Sequence, residues 1–294
     1  MQCIRIIPRL DIKGPNLVKG IHFEGLRVLG KPEEIARHYY ENGADELIYM
    51  DVVASLYQRN SLVDIVSATA REIFIPMTVG GGLRTLDDIR GVLRAGADKV
   101  SLNTAAINRP ELIKEASRQF GSSAIVVSIE AIKHPDGKYE AYTDNGREST
   151  GVDAIEWAQQ ATELGAGELL VTSINQEGTG RGFDLELTRQ IAKLVPIPVI
   201  ACGGAGNVSD IFDVVSQGMA DAVCLASLLH YNFVKHAARD GNDAGDYSNE
   251  GNTEYLKNQT GNSIFEDSTL PQIKEYLRVK GIACRPAIRE DAIA

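Results

Sequence analysis

Two carboxylates, Asp11 and Glu130, and two glycine clusters, Gly80-Gly81-Gly82 and Gly203-Gly204, are the residues here whose types and spacing suit chemistry. Asp11 and Glu130 close similar apolar runs and stand 119 residues apart. A pair of carboxylates in different surroundings can divide the work, one ionised as a base and the other protonated as an acid. A glycine cluster after a strand lets backbone N–H groups approach an anion, and a following helix start adds a favourable dipole. Both clusters lie in a longer repeat, because residues 76–106 return in altered form at 198–227. Two phosphate-sized pockets on one body suit a small molecule with a phosphate at each end.

The repeat extends further. Gly43-Ala-Asp-Glu-Leu matches Gly165-Ala-Gly-Glu-Leu at a spacing of 122 residues, which Pro76 and Pro198 share. A steady period near half the chain reads as duplicated halves. Eight apolar runs recur, at 4–10, 46–51, 75–79, 99–102, 124–129, 168–172, 199–202 and 222–225. Segments of helical period separate most of them, for example 32–42, 62–72, 86–95 and 153–164. This alternation predicts an α/β chain, a (β/α)8 TIM barrel built from two duplicated half-barrels. Near-continuous apolar strands agree with a sheet buried on both faces. A doubly wound open sheet explains the phosphate loops but not the duplication. The expectation is one barrel over residues 1–294, with a long insertion loop at 233–267 rich in Gly, Asn, Asp and Ser. A lid and a surface insertion are both open readings of that loop.

Composition narrows the function classes. At 294 residues and 44% hydrophobic, the chain can bury a large core. A formal charge of −10 argues against a general nucleic-acid surface. The four cysteines have no metal-ligand spacing, so a metal site is not expected, and nothing implies an organic cofactor. With no signal peptide and no apolar run of membrane-spanning length, a cytoplasmic location away from membranes is expected.

In such a barrel, chemistry sits where strands end and βα loops begin. That rule gathers Asp11 and Lys19 after the first run, Gly81 and Gly82 after the third, and Asn103 and Thr104 after the fourth. It adds Glu130 after the fifth and Glu177 and Gly178 after the sixth. Gly203 and Gly204 follow the seventh, and Ala226 and Ser227 the eighth. Lys19 suits a phosphate or another substrate group, while His22 reads as a loop hydrogen-bonder. At the opposite end, Arg5, Glu46, Lys99 and Glu168 stand at strand starts with alternating charge. From the residues alone they read as a salt-bridge layer closing the barrel floor.

The motifs IIPRLDI, LVKGIHFEGLR, TVGGGLR, LRAGADKVSLNTAA, GAGELLVTS and IACGGAGN resemble the cyclase subunit of imidazole glycerol phosphate synthase. The resemblance runs from residue 4 to about 231 and resumes at 270–285. It implies that a glutaminase partner docks at the N-terminal face and supplies ammonia through the core. The ammonia attacks a bisphosphate ribulosyl aminoimidazole carboxamide, giving imidazole glycerol phosphate and an aminoimidazole carboxamide ribotide. By that resemblance Asp11 and Glu130 are the catalytic carboxylates, and Arg5, Glu46, Lys99 and Glu168 form the ammonia gate. Asp98 is then a partner contact.

Four features depart from the family's pattern. Glu130 stands where Asp is usual, and Arg9 where Cys is usual. Asn175-Gln176-Glu177 replaces Asp-Arg-Asp, and the ordinary cyclase lacks the long loop. Three of these four changes line the active face, and the gate is untouched. Two other functions therefore stand beside the cyclase: a paralogue that delivers ammonia to another acceptor, such as a sugar in surface-polysaccharide synthesis, and a non-catalytic ammonia conduit.

Overall fold

The computed structural model describes residues 3–53, 62–237 and 264–287. Eight parallel strands close into a ring: β1 (Arg5–Lys13), β4 (Leu47–Asp51), β5 (Met77–Gly80), β6 (Lys99–Leu102), β7 (Ile125–Lys133), β10 (Glu168–Ser173), β11 (Val199–Cys202) and β12 (Ala222–Leu225). The ring shuts because β7 pairs with β10, and β12 pairs with β1. The expected (β/α)8 barrel is borne out. Side chains alternate between the two faces of each strand. On β1, Ile6, Leu10 and Ile12 point outward into the layer shared with the helices, while Ile7 joins Ile48, Val126, Leu170 and Ile200 inside the barrel. Both faces are buried, which is why the strands read as unbroken apolar runs.

Two antiparallel hairpins are additions that the sequence reading left as loop. β2 (Asn16–Ile21) and β3 (Glu24–Gly30) follow β1, while β8 (Tyr139–Thr143) and β9 (Glu148–Asp153) follow β7. Their turns carry consecutive left-handed residues, His22 (φ 51°) and Phe23 (φ 62°) in one, Asp144 (φ 52°) and Asn145 (φ 58°) in the other. Such a pair matches the twist of a tight hairpin. The two turns are 122 residues apart, the spacing of the sequence repeat.

The helices are α1 (Pro32–Glu41), α2 (Leu62–Thr69), α3 (Leu86–Ala95), α4 (Thr104–Asn108), α5 (Glu111–Phe120), α6 (Ala154–Glu163), α7 (Leu185–Leu194), α8 (Val208–Ser216), α9 (Ser227–Ala237) and α10 (Leu270–Val279). α3 and α8 open with reciprocal capping boxes, Thr85 with Asp88 and Asn207 with Asp210, again 122 residues apart. The Gly-Ala-Asp segments before strands also gain a physical role. The Asp45, Asp98 and Asp221 carboxylates accept the backbone N–H of Ile6 (2.8 Å), Met77 (2.9 Å) and Val199 (2.9 Å), tying the starts of adjacent strands together.

Of the stretch expected as a loop at 233–267, residues 233–237 belong to α9. Residues 238–263 lie outside the described residues. Beyond them, Asp267 accepts from His236 at 2.9 Å and also binds Asn232 and Lys235, clasping the end of α9. Glu266 N–H donates to the Gly206 carbonyl at 2.8 Å, and Phe265 packs on Tyr231 with ring centres 5.3 Å apart. The chain therefore returns beside the second glycine cluster.

Candidate active site

The C-terminal mouth holds a buried polar cluster. β1 directs Arg5, Ile7, Arg9 and Asp11 inward by its alternation. The β2 strand folds back antiparallel, pairing Val18 with Asp11, so that Lys19 lies over the same carboxylate. Arg9 Nε donates to Asp11 Oδ1 at 2.8 Å, and Lys19 Nζ donates to Asp11 Oδ2 at 3.0 Å. Lys19 also binds Glu177, from the loop after β10. Phe23, held over the cluster by the hairpin turn, lies 5.1 Å from the Arg9 guanidinium and 5.7 Å from the Lys19 ammonium. Its ring keeps water off the pair and contributes a cation–π attraction.

Electrostatics separate the two carboxylates. Burial pushes the Asp11 carboxyl up, but the charges of Arg9 and Lys19 overcome this and hold it down at about 2. Glu130, across the barrel on β7, is buried without a comparable cation. Its burial outweighs the more distant Arg9 and a Gly146 N–H bond, and pushes it up to about 7. Near neutrality Asp11 is ionised, while Glu130 keeps its proton to a much higher pH than an ordinary carboxyl does. That is the division of labour expected of an acid/base pair.

His230 is a residue the sequence reading missed. Its Nε2 lies 2.8 Å from the Arg9 carbonyl and its Nδ1 lies 2.7 Å from the Tyr39 hydroxyl. A carbonyl only accepts, so Nε2 carries the proton and Nδ1 accepts from tyrosine. Burial, aided by the Lys19 charge, holds its pKa down at about 4. The neutral ring thus braces β1 beneath the cluster.

The second glycine loop is assembled as a unit. Glu177, Gly178, Gly203, Gly204, Ala226 and Ser227 line one small cavity of about 20 Å³ at the start of α9. Gly204 has φ 111°, and a Cβ there would lie 2.0 Å from the Gly182 carbonyl oxygen. Gly204→Ala should therefore strain the backbone and displace the 182 segment. We expect at least a ~10-fold rise in KM for a bisphosphate substrate and a lower Tm; an unchanged KM would remove this loop from the binding site. In the first half, Gly81 (φ 96°) and Gly82 (φ 71°) lie at the end of β5. Asn103 Nδ2 donates to the Tyr142 carbonyl at 3.3 Å, and Thr104 Oγ1 lies 3.4 Å from Asp144 Oδ1. Residues of the second hairpin thus cover the end of β6. His22 lies outside the buried cluster, its Nδ1 2.5 Å from the Ile174 carbonyl, as a loop hydrogen-bonder would. With Asn175, Gln176 and Arg181 it lines an open cleft of about 540 Å³ beside the mouth.

At the other end, the four strand-start charges form a closed ring. Arg5 Nη1 reaches Glu46 at 2.7 Å and Glu168 at 3.0 Å, and Lys99 Nζ reaches the same two residues at 3.0 and 3.1 Å. Asp98 lies beside it on the exposed lower rim, with one oxygen committed to Met77 N–H.

Between ring and mouth lies a file of polar atoms that periodicity did not reveal. Ser101 Oγ on β6, Ser128 Oγ on β7 and Thr172 Oγ1 on β10 have no hydrogen-bond partner among the described residues. Neither do Glu168 Oε2 below them nor Glu130 Oε2 and Arg9 Nη2 above. Strand alternation could have found them, since Lys99, Ser101 and Asn103 share one face of β6, as Ser128 and Glu130 share one of β7.

A closed barrel with duplicated halves, a charged floor and opposed carboxylates at the mouth defines a (β/α)8-barrel protein with a candidate active site at its C-terminal face. The model of the histidine biosynthesis protein family matches residues 5–235, and the chain belongs to that family. Within it, the chain is 58% identical to the imidazole glycerol phosphate synthase subunit HisF of Legionella pneumophila over 210 residues, 71% of this chain and 99% of that one. It is 51% identical to the HisF subunit of Exiguobacterium sp. over 81% of this chain and 94% of that one. The corresponding values for Alkaliphilus metalliredigens HisF are 48%, 78% and 91%.

Proposed function

We propose that this chain is an ammonia-dependent cyclase of histidine biosynthesis. It converts the bisphosphate ribulosyl aminoimidazole carboxamide to imidazole glycerol phosphate and aminoimidazole carboxamide ribotide. The observation that carries this reading is the opposed pair Asp11 and Glu130 at the mouth of a barrel whose other end is the charged ring and whose interior carries the unpartnered hydroxyls of Ser101, Ser128 and Thr172. An ammonium ion entering at the ring loses favourable solvation and is driven to neutral ammonia. The unpartnered hydroxyls of Ser101, Ser128 and Thr172 then offer successive hydrogen bonds along β6, β7 and β10. At the mouth, Glu130 holds a proton for the oxygen that leaves as water, and Asp11 takes a proton from the attacking nitrogen. The two glycine loops hold the substrate's two phosphates. Nothing in this scheme calls for a metal or an organic cofactor.

A glutaminase partner fits the N-terminal face. Phe74 is 80% exposed there and lines a cleft of about 360 Å³ with Ile73, Pro76 and Asp98, beside Lys99 of the ring. An exposed aromatic next to a charged entrance suits a docking anchor. Phe74→Asp should weaken glutaminase binding at least ~10-fold and leave ammonium-driven turnover unchanged; undiminished binding would move the partner elsewhere. This reading gives a cytoplasmic heterodimer. Among the described residues, no helix is long and apolar enough to cross a membrane.

The complex with the cognate glutaminase tests the proposal as a whole. Glutamine labelled with ¹⁵N in its side-chain amide should place label in imidazole glycerol phosphate, even with excess unlabelled ammonium outside. Dilution of the label would mean that ammonia does not cross this barrel.

One observation favours a second reading, delivery of ammonia to another acceptor such as a sugar of a surface polysaccharide. Arg9 puts a buried guanidinium against Asp11, and Glu177 is engaged by Lys19, so the mouth is more crowded with charge than two catalytic carboxylates require. In the bare conduit reading, Asp11→Asn would leave the partner's activity unchanged.

A further inference from the structure

Arg9 is only 1% exposed, and together with Lys19 it balances the two buried carboxylates Asp11 and Glu177. Lys19 is shared between Asp11 and Glu177, so the second cation completes a cluster of two positive and two negative groups. Burying a second cation is costly unless its donors are used. Two of the three guanidinium nitrogens are occupied, Nε by Asp11 at 2.8 Å and Nη1 by the Cys202 sulfur at 3.8 Å. The third, Nη2, has no partner among the described residues. Glu130 Oε2 is likewise unpartnered in the same mouth. An orphaned donor and an orphaned carboxyl oxygen, both in a site closed by Phe23, mark where a reacting oxygen is received.

We propose that Arg9 is a further catalytic residue, its Nη2–H donating to the carbonyl oxygen of the ribulosyl group that ammonia attacks. The inference rests on the cyclase reading and adds a residue to it. The step balances. The ammonia lone pair forms the C–N bond, and the C=O π pair moves onto oxygen, where Arg9 stabilises the developing charge. Glu130 gives that oxygen its proton, and Asp11 takes one from nitrogen. Asp11 returns its proton to the hydroxyl, water leaves, the nitrogen lone pair closes the C=N bond, and Glu130 recovers its proton. The sum is ketone plus ammonia to imine plus water. A preorganised donor aimed at a developing oxyanion in a dry site is worth ~10²–10³ in kcat. A lone point charge does not replace a fork, because lysine at this position reaches Asp11 but offers no second directed donor.

The test is turnover of the bisphosphate ribulosyl aminoimidazole carboxamide by wild type, Arg9→Lys and Arg9→Cys, with ammonium salt as nitrogen source. Arg9→Lys keeps the charge beside Asp11, so its Tm should stay near that of wild type. Its kcat should fall ~10²-fold with KM within ~3-fold. Arg9→Cys should lose at least as much. The groups facing Arg9 are Asp11, Lys19, Glu177, Glu130 and the Cys202 and Cys224 thiols. Removing its charge should also move the Glu130-dependent limb of the pH profile upward. An Arg9→Lys enzyme with wild-type kcat overturns the role, as does a loss confined to KM. Should wild type itself leave the substrate untouched, the cyclase reading fails first and this role falls with it, a result separable from any variant's.

Discussion

Asp11→Asn is expected to abolish turnover, with a loss of roughly 10²–10⁴-fold in kcat while substrate still binds. The amide has nearly the shape of the carboxylate, so the mouth stays filled. It cannot take a proton from the attacking nitrogen, and it removes one of the two anions that balance Arg9 and Lys19. Leaving a buried cation without its partner is strongly destabilising, so Tm should fall as well. The pH dependence follows from the same contacts. The native Asp11 carboxyl lies at about 2, below its ordinary 3.8. Its stabilisation is therefore complete above roughly pH 4 and is lost as pH falls through about 2. Isothermal calorimetry and steady-state kinetics at pH 7.5 check the first part. Turnover within ~3-fold of wild type would remove Asp11 from the chemistry.

Glu130→Gln should lose kcat by a comparable factor, roughly 10²–10⁴-fold, and should make the protein more stable at alkaline pH. The folded carboxyl lies at about 7 against an ordinary 4.5. Between those values the folded state holds more protons than the unfolded one, so stability falls as pH rises through that window. Above it, ionised Glu130 costs up to roughly 3 kcal/mol. Glutamine carries no charge to bury, so its stability curve should lack that decline. Tm measured from pH 5 to 9 for both proteins reports the difference. Parallel curves would mean that Glu130 is not the raised carboxyl.

Much of this was legible in the chain. The eight strands match their apolar runs to within a few residues, because burial on both faces leaves little room for polar residues. The facing of Asp11 and Glu130 followed from the repeat alone. What escaped depended on contacts between distant residues. The first hairpin has His22-Phe23 at its turn, with no glycine or asparagine to announce left-handed backbone. Asp144-Asn145-Gly146 in the second did carry that signal. Asp267 holds Asn232, Lys235 and His236 of α9 from more than thirty residues away, which no local pattern can reveal. Lys19 looked available for a phosphate, yet the fold of β2 commits it to Asp11 and Glu177. Arg9 read only as a departure from a family pattern until its partners, and its one unused nitrogen, were located.

The most direct measurement is turnover of the bisphosphate ribulosyl aminoimidazole carboxamide by this chain alone, with ammonium salt at high pH supplying free ammonia. The account predicts formation of imidazole glycerol phosphate. It also predicts a rate per free ammonia that declines above about pH 7 as Glu130 loses its proton. A folded protein that leaves the substrate intact at every pH would contradict the cyclase assignment and point to a different ammonia acceptor at the same mouth.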